Sequence, residues 1–313
     1  MTFSAGLHHI TALSGNIRRT HDFYTRLLGL RLVKRTVTAE DQASWHLTFG
    51  DELGTPGACL SFMSWEDTRA GVPGAGEAVT IALAIPPGSA PFWSERLADE
   101  GISIALDHGS STPVIAFHDP DGIGLELVEE PVRGESHPHT TMDVPLDRAI
   151  TGLSGATLLV EDIEASARVL MDVLGWRESG RAHLPGFERV RFTMPDSTSQ
   201  GARIELLQGE GAPTAKRGAG SIHHIAFRAA DDQAQADMVA ALRKLGIETT
   251  PPIDRTYFRA VYFREPSGVL LAIATDGPGF GVDENIERLG ERLMLPETLE
   301  EQRLKILTRL PDL

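Results

Sequence analysis

Two short stretches place histidines side by side: GLHHITAL at residues 6–13 and SIHHIAF at residues 221–227. Imidazole is the commonest metal-binding side chain. Two such pairs in the same local context therefore read as ligands of one metal more readily than one pair would. Each pair lies in an apolar run that reads as a β-strand. Side chains alternate along a strand, so Leu7, His9 and Thr11 share one face while His8 and Ile10 share the other. One histidine of each pair is then expected to look inward, and the alternation alone leaves open which.

The elements that position these residues come from a fourfold repeat, of the kind best sought before anything else. Each unit of about 55 to 60 residues reads as a strand, an amphipathic helix closed by glycine, and three more strands. The first unit spans 6–66, with its helix in NIRRTHDFYTRLLG and Gly29 as C-cap. The second spans 77–130, its helix closing at Gly101. The third spans 150–209, closing at Gly175, and the fourth 221–276, closing at Gly246. One such sheet cannot bury its own face, so the units must pair. The fold class is α+β: four βαβββ modules paired into two open barrels, followed by a helical tail. The domain division is 1–132, a polar, proline-containing linker at 133–149, 150–280, and the tail at 281–313.

The last strands align on their own punctuation. DPDGIGLELVEE from Asp119 superposes on EPSGVLLAIATD from Glu265, so that Gly122 meets Gly268 and Glu126 meets Ala272. In the first unit Gly57 takes the glycine position and Ser61 the compared one.

The paired histidines, FYTRLLGL, LVKRTV, ELGTPG, DRTYFRAVYFREP and ATDGPGF resemble the vicinal oxygen chelate superfamily. That superfamily holds glyoxalase I, bleomycin-resistance proteins and extradiol dioxygenases. The resemblance runs over essentially the whole chain and is nearest to dioxygenases that open hydroquinone-type rings. It implies a mononuclear Fe(II) or Mn(II) site whose ligands are the second histidine of each pair, His9 and His224, and a glutamate at the position of Ala272. Two imidazoles and a carboxylate leave three positions open for a chelating diol and O2. At Ala272 the pattern breaks, because a methyl group cannot ligate. Asp276 and Glu126 are the nearest substitutes by sequence. The first lies too far along its strand, and the second belongs to the other pair of units. There Gly155 or Ala156 stands where a histidine would be, which makes Glu126 a relic of a second site.

The resemblance further implies that Tyr262 and Arg255 line the substrate side as catalytic residues, with Thr11 and His46 as supporting candidates. His8 and His223 are expected on the opposite face, bonded within the sheet. His21, His108, His118 and His183 read as structural or exposed, and His137 and His139 as linker residues. Lone Cys59 reads as a small buried hydrophobe.

The net charge of -15 disfavours nucleic acid and anionic membranes as partners. No run of apolar residues is long enough to span a bilayer. No signal peptide is recognisable, and one cysteine allows no intrachain disulfide, so a cytoplasmic setting is expected. The partners implied are O2 and a small aromatic diol or quinone, and a homo-oligomer is the expected assembly. Three readings follow. The first is a ring-cleaving dioxygenase altered at one ligand. The second is a non-catalytic aromatic- or quinone-binding protein. The third is a glyoxalase-type metal isomerase, for which both last-strand carboxylates would be missing, at Ser61 and Ala272.

Overall fold

The computed structural model describes residues 3–38, 41–107, 113–134, 136–195, 200–209 and 211–313; His108 lies outside them. Each unit has the expected βαβββ order. The first comprises β1 (Leu7–Ser14), α1 (Ile17–Asp22, continuing as a π-helical turn at Phe23–Leu27), β2 (Arg31–Val37), β3 (Trp45–Gly50) and β4 (Cys59–Ser64). The second has β5 (Glu77–Ile85), α2 (Ala90–Asp99), β6 (Ala105–Asp107), β7 (Val114–His118) and β8 (Gly124–Glu129). The third has β9 (Gly152–Leu159), α3 (Ile163–Arg168, with π-helical Val169–Val173), β10 (Arg177–Leu184), β11 (Phe187–Thr193) and β12 (Arg203–Gly209). The fourth has β13 (Ile222–Ala229), α4 (Asp232–Lys244), β14 (Ile253–Asp254), β15 (Arg259–Arg264) and β16 (Leu270–Thr275).

The units pair across the sequence. One eight-stranded sheet runs β14-β15-β16-β13-β1-β4-β3-β2 and joins the first unit to the fourth. The other runs β10-β11-β12-β9-β5-β8-β7-β6 and joins the second to the third. The two seams are antiparallel pairings of opening strands, β1 with β13 and β5 with β9.

Residues paired across a sheet share a face, so the register sorts the side chains. In the first sheet Ile10, Leu60, Phe49, Ile225, Leu271 and Val261 fall on one face, all essentially buried in the apolar core. The other face carries His9, Thr11, Ser61, Thr48 and His46 from the first unit. From the fourth it carries His224, Ala226, Ala272 and Tyr262.

After β16 the chain runs to the β2 edge of this sheet, where Leu293 bridges Arg35. It holds short helical turns at Phe280–Val282, Ile286–Arg288 and Glu297–Gln302 before α5 (Arg303–Leu307). Fully buried Lys34 of β2 donates to Asp283 at 2.7 Å and to Glu284 at 2.6 Å, and its ammonium lies 4.7 Å from the Tyr257 ring centre. The linker packs against the first unit. His139 meets Glu52 at 2.6 Å, and Val144 is fully buried.

Candidate metal centre

His9 and His224 come together at the seam of the first sheet, with Nε2 atoms 3.2 Å apart. The expectation for their neighbours is corrected. Simple alternation would send His8 and His223 to the opposite face, yet Nδ1 of His8 lies 2.8 Å from Nδ1 of His9. The same distance separates Nδ1 of His223 from Nδ1 of His224. The cause is a pair of bulges. In the β1–β13 register Leu7 faces Phe227 and His9 faces Ala226, so His8 has no partner. Likewise Thr11 faces His224 and Ala12 faces Ile222, which leaves out His223. A bulge re-aims the side chain it carries, and here it turns both imidazoles of a pair toward each other.

Protonation follows from the partners. Burial lowers His8 to about 4 and holds His9 and His224 well below their ordinary range, so all three are neutral at pH 7. His8 Nε2 lies 3.1 Å from the Thr275 carbonyl, which only accepts, so that nitrogen donates. Nδ1 of His8 must then accept from Nδ1 of His9. That leaves the lone pair of His9 Nε2 facing His224.

This geometry suits one shared ion. Ligand nitrogens about 2.0–2.1 Å from a metal and at a right angle to each other lie about 3 Å apart. A third protein ligand is not supplied. Ala272 is fully buried and sits directly opposite Tyr262 and Ala226 in the sheet. Among the described residues no group of three or more His, Cys, Asp or Glu side chains forms a metal site. The donor set therefore fits an ion held by two imidazoles and lacks the carboxylate.

The other named residues surround this point. The Phe258 ring lies 4.9 Å from His9 and 5.1 Å from His8, and Tyr262 stands 5.3 Å from His224. Arg255 Nε donates to Tyr262 Oη at 3.2 Å, leaving the phenol hydrogen free to donate elsewhere. His46 Nε2 is sealed from solvent and has no hydrogen-bond partner. A cavity of about 250 Å³ reaches His223 and His224 from the side and carries Arg217, Arg264 and Glu161 among its lining residues.

Sequence reasoning missed Glu205. Gly201 has a left-handed φ of +70°, and Glu205 lies four residues on, as Ser61, Glu126 and Ala272 follow Gly57, Gly122 and Gly268. The register agrees: Thr157 faces Glu205 as Ala82 faces Glu126 and Ala226 faces Ala272. The glycine-plus-four spacing was the available signal. The second sheet thus has carboxylates where the first has Ser61 and Ala272. Where the first has His9 and His224, it has Thr80 and Gly155. Its carboxylates are ion-paired, Glu126 to Arg203 at 3.2 Å and Glu205 to Arg191 at 2.9 Å.

βαβββ modules paired across two antiparallel seams define the glyoxalase-like fold class. The family model for the Glyoxalase/Bleomycin resistance protein/Dioxygenase superfamily matches residues 6–127 and 152–273, and the chain belongs to that superfamily. It is 39% identical over 302 residues to MhqO of Bacillus subtilis, whose name gives ring-cleaving dioxygenase as an inferred activity; 96% of this chain and 94% of MhqO are covered. It is 28% identical over 312 residues to a chlorohydroquinone/hydroquinone 1,2-dioxygenase of Sphingobium indicum, with 98% and 96% covered. A crystal structure of a Bacillus subtilis protein described as an inferred dioxygenase superposes with a TM-score of 0.93 at 38% identity. It covers 100% of this chain and 98% of that one.

Proposed function

We propose that this protein is a ring-cleaving dioxygenase acting on a hydroquinone or catechol-like diol, with His9 and His224 as the protein ligands of Fe(II) or Mn(II). The observation that carries the reading is the 3.2 Å approach of two Nε2 atoms, each ring braced by a neighbouring imidazole. Such an ion, when bound, supplies acidity to a diol hydroxyl and a common meeting point for diol and O2.

The chain's own residues do the rest. Thr275 and His8 fix the His9 ring so that its Nε2 lone pair faces the centre. For His224 to offer its own Nε2 lone pair, its proton must sit on Nδ1 and be donated to His223. Tyr262 Oη, already accepting from Arg255, is free to donate to a substrate oxygen. The Arg255 guanidinium offsets the charge of a deprotonated diol. Phe258 covers His8 and His9 and excludes water from them. The setting is cytoplasmic and the assembly a homo-oligomer in this reading. Residues 1–132 and 150–280 serve as its two domains.

The buried methyl of Ala272 favours a second reading, a binder of aromatic diols or quinones that has lost turnover. One experiment separates the two. Protein loaded anaerobically with Fe(II) is given hydroquinones or catechols and then O2, while oxygen uptake and the aromatic absorbance are followed, beside Ala272→Glu. Turnover by the unchanged protein supports the dioxygenase. Turnover only by the glutamate variant supports the binder. If both forms hold Fe(II) and neither consumes oxygen, the ring-cleaving reading is wrong.

A further inference from the structure

We infer that the His9–His224 centre takes a small monovalent anion, a carboxylate or a halide, as the ligand beside Ala272 that the chain itself does not provide. This rests on the metal reading above and adds a ligand to it.

The argument begins with charge. Two neutral imidazoles bring none, and a divalent ion held among buried side chains needs compensation. Most carboxylates near the seam are committed elsewhere, and Glu161 lines the cavity beside His224 together with Arg217 and Arg264. Asp276 pairs with Arg228 at 2.6 Å, and Asp283 and Glu284 pair with Lys34. Glu126 and Glu205 lie on the other sheet, each on an arginine.

The surroundings of Ala272 are instead rich in donors. Tyr262 is its direct neighbour across the sheet, and the Tyr262 hydroxyl keeps its hydrogen free because Arg255 already donates to its oxygen. Arg255 forms no ion pair among the described residues, and its guanidinium carbon lies 5.2 Å from the Tyr262 ring centre. His46 adds a second, independent sign, an Nε2 atom sealed from solvent and unpartnered. A buried polar atom is normally satisfied.

Ala226, Ala272 and Ala274 form a patch of methyl groups covered by Phe258 and Tyr262. Formate has fewer heavy atoms than the part of a glutamate side chain that alanine lacks. It would bring the missing carboxylate without the tether.

The test is Mn(II) affinity, measured by calorimetry on metal-free protein in buffer without halide or carboxylate. Formate and chloride are then titrated in separate series, and the Mn(II) spin-resonance line shape is followed in parallel. Saturating anion is expected to tighten Mn(II) about tenfold or more, the scale of losing a partner at a metal site. Mn(II) must tighten formate by the same factor. An effect from formate alone would name a carboxylate as the ligand, and an effect from both a general anion position. Ala272→Glu should bind Mn(II) tightly with no anion response. Ala272→Leu should lose the anion response because its side chain fills the place. Equal Mn(II) affinity with and without anions in the unchanged protein overturns the inference, and needs no variant to be read. If Ala272→Glu binds tightly in that case, the His9–His224 metal reading survives alone. If no form binds Mn(II), that reading falls and takes this one with it.

Discussion

At the scale of single residues, the bulged histidines matter as much as the inward pair. His8 touches no substrate position, yet its Nδ1 holds His9 Nδ1 at 2.8 Å and its own Nε2 is anchored on Thr275. His8→Phe keeps the bulk and removes that bond. We expect it to weaken Mn(II) binding about 10–100-fold with the fold intact; calorimetry that found unchanged affinity would refute the bracing role. His46 gives a prediction in pH. Burial lowers it to about 4, while in the unfolded chain it protonates near 6.5. Between those values the unfolded state binds the extra proton, so stability falls as pH falls through this window. Above 6.5 His46 contributes no slope, and below 4 the loss is complete. The slope reaches about 1.4 kcal/mol per pH unit, and the whole loss about 3 kcal/mol. Asp119, pushed up to about 6 by burial, works in the opposite direction, so the comparison must be with a variant. His46→Phe should flatten the urea-derived stability curve between pH 6.5 and 4 relative to the unchanged protein. Two parallel curves would contradict the buried neutral imidazole.

Elements set where these residues stand, and they differ in how plainly the sequence announces them. The glycine before the last strands of the second and fourth units was legible because φ near +94° at Gly268 and +92° at Gly122 demands glycine, and the fourth residue onward follows by counting. Asp119 and Glu265 hold those turns. Asp119 accepts from the backbone of Asp121 and Ile123, and Glu265 from that of Val269. The bulges were not legible. They leave no residue type behind: His8 and His223 in one sheet correspond to Val79 and Ser154 in the other. They are a property of the seam between two twisted strands, not of either strand. For the same reason alternation failed at His8 while it held at Ile10, Ala272 and Tyr262. The tail is a further element with consequences for the site. Tyr257 donates to Asp283 and lies under Lys34, while its neighbours Arg255 and Phe258 face the histidines. Lys34→Met would strip the buried Glu284 carboxylate of its direct ion-pair partner, at a cost on the order of 3–5 kcal/mol. Cys59 packs in the same cluster as Val33, Phe280 and Leu289, and it is the sole cysteine. Its labelling by a thiol reagent should therefore quicken as the tail loosens. A variant equally destabilised by Leu206→Ala, in the other sheet, should label more slowly than Lys34→Met at the same residual stability. Equal rates would mean that the contact serves only global stability.

Across the whole molecule each unit has two different neighbours. Sheets join the first unit to the fourth and the second to the third. Polar contacts through the helical layer join the first to the second, with Tyr24 donating to Asp119 and Arg26 paired with Glu100. The third joins the fourth in the same way, with Ser166 donating to Glu265. The four units thus form a ring, and the paired histidines His9 and His224 lie on a seam between residues far apart in sequence. Removing the linker residues 133–149 keeps the helical contacts of each half and opens both seams at once. The fragment 1–132 would then present β1 and β5 as unpaired edges carrying Leu7, Ile10, Ile81 and Leu83, all buried in the intact chain. Long apolar edges of that kind pair with whatever strand they meet. We therefore expect 1–132 and 150–313, expressed separately, to aggregate or to form swapped dimers through those edges, and to bind no Mn(II). Expressed together they should form a one-to-one complex that restores both seams and regains Mn(II) binding. Size-exclusion chromatography with light scattering and calorimetry reads both results. A stable, monomeric, well-folded 1–132 would show that the helical contacts alone suffice. The seam would then be an assembly step added to finished halves, not the feature that makes the halves one protein.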